Sequence, residues 1–168
     1  MADKYIALLG GIETEVEATA TGGSVGQAGK IPALDNGGRL DQSMMPVGIL
    51  PDTYTGVAFE SLSATSPFVY VKSDGQIANA SAGVGGNPAI GFVIANAASA
   101  APATVYFEGR VTGLTGLTVG ARYYLSDTTP GGLTTTPVTG AGKLHQYLGR
   151  AVSTTTLSFE ADDHIVRA

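Results

Sequence analysis

The chain has 168 residues, of which only 14% are charged and 7% are aromatic, and it contains 24 glycines and no cysteine or tryptophan. This composition excludes a charge-rich disordered chain, a collagen-like repeat and a long coiled coil. The absence of cysteine excludes disulfide frameworks and cysteine-based zinc sites. The formal net charge of −5, with nine basic residues scattered singly, argues against binding to nucleic acid.

The first predicted element is a β-strand over residues 12–19, where apolar and acidic residues alternate strictly. One face of this strand carries Ile12, Thr14, Val16 and Ala18. The opposite face carries three glutamates, Glu13, Glu15 and Glu17. Side chains two positions apart on a strand are about 6.6–7 Å apart, which is too wide for them to share one metal ion without further ligands. The glutamates therefore predict a solvated face or a patch that meets a basic partner.

The rest of the first third predicts an extended N-terminal arm, which we expect to cover residues 1–56. A glycine-rich connector at 22–29 precedes an Asn-Gly turn signal at 36–37, which predicts a small hairpin between residues 30–34 and 39–41. Few residues here could form a core, so the arm needs an apolar surface on its own body or on a neighbouring subunit. The candidate contact residues are Tyr5, Ile6, Leu8, Leu9, Met44, Met45, Ile49 and Leu50.

Residues 57–168 predict a small antiparallel β-sandwich or barrel-like body with little helix. Turn signals recur about every 8–12 residues, as in all-β domains, and Pro130-Gly131 predicts a type II turn. Predicted strands cover 68–72, 76–78, 90–94, 104–111, 121–126, 133–137, 144–152 and 155–160. The apolar strand at 90–94 is expected to be buried on both faces. Leu144, Leu148 and Val152 are expected to share one face.

No sequence pattern predicts catalysis. His145 has no acidic residue close to it in the sequence, and no nucleophile-elbow motif is present. Residues 162–164 (Asp-Asp-His) are too few for a metal site and predict a solvated tail. The aromatic residues do not neighbour basic ones in a stacking platform. We therefore expect no enzyme activity, no cofactor, no metal and no nucleic-acid partner.

The hydropathy pattern predicts neither a membrane span nor a signal peptide. No stretch approaches the roughly 20 apolar residues of a span, and the apolar run near the N-terminus is too short for the core of a signal peptide. We therefore expect no membrane association and synthesis in a cytoplasm.

A resemblance appears in the second half of the chain. Four short motifs follow one another there. Gly-Leu-Thr and then Gly-Ala-x-Tyr-Tyr-Leu-Ser lie within residues 107–126, Pro-Gly-Gly within 129–137, and Leu-Gly-Arg-Ala within 146–153. This succession resembles small β domains of tailed-bacteriophage virion proteins, which occur in head decoration (cement) proteins and in fibre proteins. Residues 28–46 are similar to a segment common in the same proteins. The resemblance covers about residues 28–168.

The resemblance implies a β-rich late protein that assembles as a homotrimer on the virion after synthesis in the host bacterial cytoplasm. The chain's size and arm favour a capsid decoration protein, which binds the major capsid protein and stabilises the shell against the pressure of packaged DNA. The alternative is a short head or tail fibre, or a tail-associated adhesin or adaptor. For the decoration protein, the eight candidate residues are expected to contact the capsid or neighbouring subunits, unless they cover the core of the chain's own body.

Overall fold

The computed structural model describes residues 4–22, 30–45 and 51–168. The chain divides into two compact units, Met1–Leu50 and Pro51–Ala168, which we call the N-terminal unit and the body. The division lies before the boundary expected after residue 56, because Thr53–Val57 is a strand that pairs with Pro102–Tyr106 in the body.

The N-terminal unit contains one β-hairpin in its described part. Strands β1 (Lys4–Leu9) and β2 (Ile12–Glu17) pair in an antiparallel register from Lys4↔Glu17 to Leu9↔Ile12. Gly10 and Gly11 join them at φ values of +60° and +85°, as a two-residue hairpin turn of the primed type requires. The strand expected from residue 12 is present, and the sequence did not indicate its partner β1.

The hairpin predicted around residues 36–37 is only a turn. The Gly38 N–H donates to the Asp35 carbonyl (2.9 Å), and the Asp35 N–H donates to the Arg39 carbonyl (2.8 Å). The segments on either side form no ladder with each other. Instead, the Thr19 N–H donates to the Ile31 carbonyl at 3.0 Å. A short 3-10 turn follows at Gln42–Met44.

The body consists of two five-stranded antiparallel sheets and one additional strand pair. The back sheet has the order β3-β7-β6-β4-β5 and the front sheet the order β10-β9-β12-β13-β8, while β11 pairs with β14. The strands are β3 (Thr53–Val57), β4 (Phe68–Val71), β5 (Ile77–Asn79), β6 (Gly91–Phe92), β7 (Pro102–Tyr106), β8 (Gly109–Val111), β9 (Arg122–Leu125), β10 (Leu133–Thr134), β11 (Leu144–His145), β12 (Tyr147–Ala151), β13 (Leu157–Phe159) and β14 (Ile165–Val166).

The two sheets pack face to face through aromatic side chains. Phe159 of the front sheet stacks on Phe68 of the back sheet with ring centroids 5.8 Å apart, and it meets Phe92 edge-on at 5.5 Å. A second cluster covers the other side of the back sheet, where Val105 packs with Leu62. The predicted mainly β, sandwich-like body is confirmed.

Two predicted strands are divided in the structure. Residues 104–111 belong to β7 of the back sheet and β8 of the front sheet, and the chain changes sheets at Gly109, where φ is +123°. Residues 144–152 are likewise split between β11 and β12. Alternation alone cannot reveal such a corner, because the period of two continues across it, with Val105, Phe107 and Val111 all at odd-numbered positions.

Burial corrects two further expectations. Ile90 and Ile94 are exposed, so the strand at 90–94 is not buried throughout; only Gly91–Phe92 is strand there. Val152 is exposed, whereas Leu144 and Leu148 are buried, because β12 ends at residue 151. The type II turn is present: Gly131 has φ +68° and the Gly132 N–H donates to the Thr129 carbonyl at 2.9 Å.

Candidate interaction surfaces

The hairpin of the N-terminal unit has one face on which acidic and aliphatic side chains stand side by side. Opposite residues of an antiparallel pair share a face, so Ile6 stands beside Glu15 and Leu8 beside Glu13. Ile6 is 66% exposed and Leu8 is 71% exposed. We call this surface the glutamate–aliphatic face; its members are Lys4, Ile6, Leu8, Glu13, Glu15 and Glu17.

Only one glutamate of this face forms an ion pair in the described part of the chain. Lys4 pairs with Glu15, and both side chains are more than half exposed. Glu13 and Glu17 have no cation within ion-pair distance among the described residues. The face therefore presents negative charge beside exposed aliphatic groups.

The other face of the hairpin is half-buried except at its turn. The Tyr5 hydroxyl accepts a hydrogen bond from the Ile31 N–H at 3.3 Å, and Val16 is half-buried on the same face. Leu9 and Ile12 are opposite each other next to the turn and are 56% and 70% exposed. We call this pair the apolar tip.

The predicted contact residues therefore do not form one surface. Ile6 and Leu8 belong to the glutamate–aliphatic face, whereas Leu9 belongs to the apolar tip. Met44 is half-buried and Met45 is exposed.

Two predicted contact residues, Ile49 and Leu50, lie outside the described residues. No described side chain of the N-terminal unit is fully buried. Unlike the body, this unit has no hydrophobic core in its described part.

The outer face of the front sheet carries three arginines in one row. Arg122 on β9 is opposite Arg150 on β12, Arg150 is opposite Ser158 on β13, and Ser158 is opposite Arg110 on β8. All three arginines are exposed. Since neighbouring strands are about 4.8 Å apart, the row spans about 14 Å.

Two tyrosines stand beside this row. Tyr124, two residues after Arg122, is opposite Tyr147, and the two rings meet edge-on with centroids 6.0 Å apart. The Arg122 guanidinium lies 5.8 Å from the centre of the Tyr147 ring. We call the surface formed by Arg110, Arg122, Tyr124, Tyr147 and Arg150 the arginine–tyrosine face.

A bulge in β12 places Tyr147 and Arg150 on the same side. They are three residues apart and would point to opposite sides of a regular strand. The register of β12 against β9 shifts between Tyr147 and Gly149, and Leu148 is buried. Gly149 has φ +150°, and a Cβ atom there would collide with the Ser158 carbonyl oxygen. The bulge therefore depends on glycine.

The arginine–tyrosine face corrects the expectation that basic and aromatic residues are dispersed. None of its arginines forms an ion pair with a carboxylate in the described part of the chain. Arg150 donates to the Gly120 carbonyl at 2.9 Å. The acidic neighbour Glu160 instead accepts a hydrogen bond from the Ser158 hydroxyl (3.4 Å). This face of an acidic chain therefore carries three arginines that form no ion pair among the described residues, with one carboxylate, Glu160, next to their row.

The body also has an open cleft of about 640 Å³ between residues 88–90 and 159–164. Buried Gln146 holds its wall together, because its side-chain amide donates to the Ala89 carbonyl and accepts from the Ala89 N–H, both at 2.8 Å. The ionisable residues that line the cleft are Glu108, Glu160, Asp162, Asp163 and His164. The described residues contain no group of three or more acidic or histidine side chains arranged to hold a metal ion.

The two histidines have different surroundings. The His145 ring packs on Tyr124 at 5.1 Å, and an Arg167 nitrogen lies 3.5 Å from its Nδ1 atom. His164 is exposed. Residues 162–164 are exposed as expected, but the chain then forms β14 instead of continuing as a tail.

The carboxylates with shifted pKa values belong to turns. A hydrogen bond from the Lys143 ammonium, 2.6 Å away, holds the pKa of Asp127 below its ordinary value. The Gln76 N–H, and then Lys72, do the same for the pKa of Asp74. These interactions fix local backbone and lie outside the cleft.

The chain has no match among protein-family models and none among curated proteins. In the described part of the chain, no helix is long and apolar enough to cross a membrane.

Proposed function

We propose that the protein is a non-catalytic bacteriophage capsid decoration protein that self-associates as a homotrimer and binds the outer surface of the capsid lattice. The observation that carries the proposal is the contrast in burial between the two units. The body covers its own aromatic core, whereas the described N-terminal unit has no fully buried side chain and exposes the apolar tip. Such exposed apolar groups are typical of binding surfaces.

The resemblance of residues 28–168 to phage virion proteins supplies the partner, the major capsid protein. In this proposal Leu9 and Ile12 insert into apolar sites at the joints between capsomers. Burying apolar area contributes about 25 cal/mol per Å². Many weak contacts of this kind, repeated over a lattice, stabilise the shell through multivalency.

The test is saturable binding of the purified protein to expanded, DNA-free shells of the phage that encodes it. Leu9→Asp/Ile12→Asp is the test variant, since two carboxylates at the apolar tip prevent apolar burial. Val84→Asp/Val119→Asp is the matched control, because Val84 and Val119 are comparably exposed aliphatic residues of the body. We expect wild type and control to bind alike and the tip variant to lose at least about tenfold in affinity, or about 1.4 kcal/mol.

The proposal is wrong if wild-type protein does not bind shells. Binding to host cells or their surface glycans instead would support the adhesin alternative. Equal shell binding by the tip variant would show that the apolar tip is not the contact.

A further inference from the structure

The two charged surfaces have complementary layouts. On the hairpin, a row of glutamates along β2 runs beside the aliphatic pair Ile6 and Leu8 on β1. On the body, a row of arginines across the front sheet runs beside the aromatic pair Tyr124 and Tyr147. Each surface is therefore a charged row next to an apolar row, and the two charges are opposite.

The two charged rows also agree in length. Glu13 and Glu17 are four residues apart on one strand, which separates them by about 13–14 Å. Arg122 and Arg110 are three strand spacings apart, which is about 14 Å. The end residues of one row can therefore face the end residues of the other. Glu15, in the middle, is already paired with Lys4.

We infer that the arginine–tyrosine face of one copy binds the glutamate–aliphatic face of a second copy. Strand β2 of the incoming hairpin lies across the strands of the front sheet. Glu13 and Glu17 then pair with arginines, and Ile6 and Leu8 pack on the tyrosine rings. This inference rests on the self-association in the proposed function and does not depend on the capsid contact.

A second copy fits this face better than a nucleic acid does. The chain is acidic overall, and Glu160 stands next to the arginine row on β13, so an extended phosphate backbone meets repulsion beyond the arginines. Strand β2 of this chain instead offers glutamates for the arginine row, and its partner β1 offers aliphatic side chains for the tyrosine pair.

The experiment uses two full-length charge-reversal variants. One replaces the hairpin charges (Glu13→Lys/Glu15→Lys/Glu17→Lys), and the other replaces the sheet charges (Arg110→Glu/Arg122→Glu/Arg150→Glu). Sedimentation velocity measures association at ionic strengths of about 0.05 M and 1 M, between which the Debye length falls severalfold. Circular dichroism and thermal melting verify that each variant is folded.

The wild-type protein should self-associate, and its association should be weaker at high ionic strength because salt screens the charge pairs. Each variant alone should associate at least about tenfold more weakly, whereas an equimolar mixture of the two should form mixed complexes. A variant carrying all six reversals should associate like wild type. The control Lys30→Glu/Arg39→Glu, which changes exposed basic residues outside both faces, should leave association unchanged.

Association that is the same in wild type and both variants would overturn the inference while leaving self-association intact. A wild type that is monomeric at both salt concentrations would overturn both the inference and the proposed self-association, and shell binding would still test the capsid contact separately. Failure of the mixture to associate, when wild type does, would exclude pairing between these two faces. Binding of labelled oligo(dT) by monomeric wild type but not by the arginine variant would assign the arginine–tyrosine face to nucleic acid instead.

Discussion

The two units of this protein use the same local structure with different outcomes. Both are built from antiparallel strands joined by glycine turns. In the body, two sheets face each other and enclose Phe68, Phe92 and Phe159, whereas the hairpin exposes Leu8 and Ile12. Strand pairing satisfies the backbone, but a core requires a second layer, and a lone hairpin is marginally stable in water. Exposed apolar residues such as Leu8 and Ile12 are therefore available for binding.

The largest expected loss of stability comes from removing the aromatic contact between the two sheets of the body. Phe159→Ala removes a ring that touches both Phe68 and Phe92, and it should lower the free energy of unfolding by about 3–5 kcal/mol. Leu8→Ala, on the hairpin, should change it by less than about 0.5 kcal/mol. Urea unfolding followed by circular dichroism measures both. Equal losses would mean that the hairpin contributes to the same cooperative core.

A smaller loss of stability should follow from replacing a glycine at positive φ in the body, but not from replacing one in the hairpin. Gly149→Ala adds both backbone strain and a collision with the Ser158 carbonyl, which together should cost roughly 2–4 kcal/mol. Gly11→Ala adds strain alone, since nothing lies within 4 Å of the new Cβ, and it should leave the unfolding of the body unchanged. Thermal melts compare the two variants. A stable Gly149→Ala protein would show that the bulge in β12 does not need glycine.

The smallest expected change in stability comes from removing one partner of an ion pair, and each unit offers one such pair for comparison. Asp127 and Lys143 in the body are each a third or less exposed, and the pKa of Asp127 is lowered by that lysine. Asp127→Asn should therefore lower Tm slightly at neutral pH, and the difference from wild type should vanish as pH falls through the lowered pKa, below about 3.8. Glu15→Gln, in the exposed hairpin pair, should leave Tm unchanged. A difference for Asp127→Asn that persists at the lowest pH would contradict this assignment.

The sequence was informative wherever one strand could be read by itself. Alternation at residues 12–17 placed the three glutamates on one face, and Pro130-Gly131 marked its turn. The spacing of turns correctly indicated a sandwich-like body. These signals depend only on neighbours in the chain, so they are visible without the fold.

The arginine–tyrosine face was missed because it depends on pairing between strands. Arg110, Arg122 and Arg150 are far apart in the sequence, and only the registers of β8, β9, β12 and β13 align them. The bulge at Leu148–Gly149 also breaks the period of two, so alternation assigns Tyr147 and Arg150 to opposite faces. The one local signal was Gly149 inside an apolar strand, since such a glycine often marks a bulge.

Hydrogen exchange on the wild-type protein, at a concentration where it is monomeric, tests the central claim most directly. The claim is that the body has a hydrophobic core and that the described part of the N-terminal unit has none. The amides of β4, β9 and β12 should exchange only through global unfolding, whereas the paired amides of β1 and β2 should exchange through local opening with a free energy near zero. Raising the protein concentration should protect the hairpin selectively as copies associate. Hairpin amides as protected as those of the body in the monomer would contradict the account.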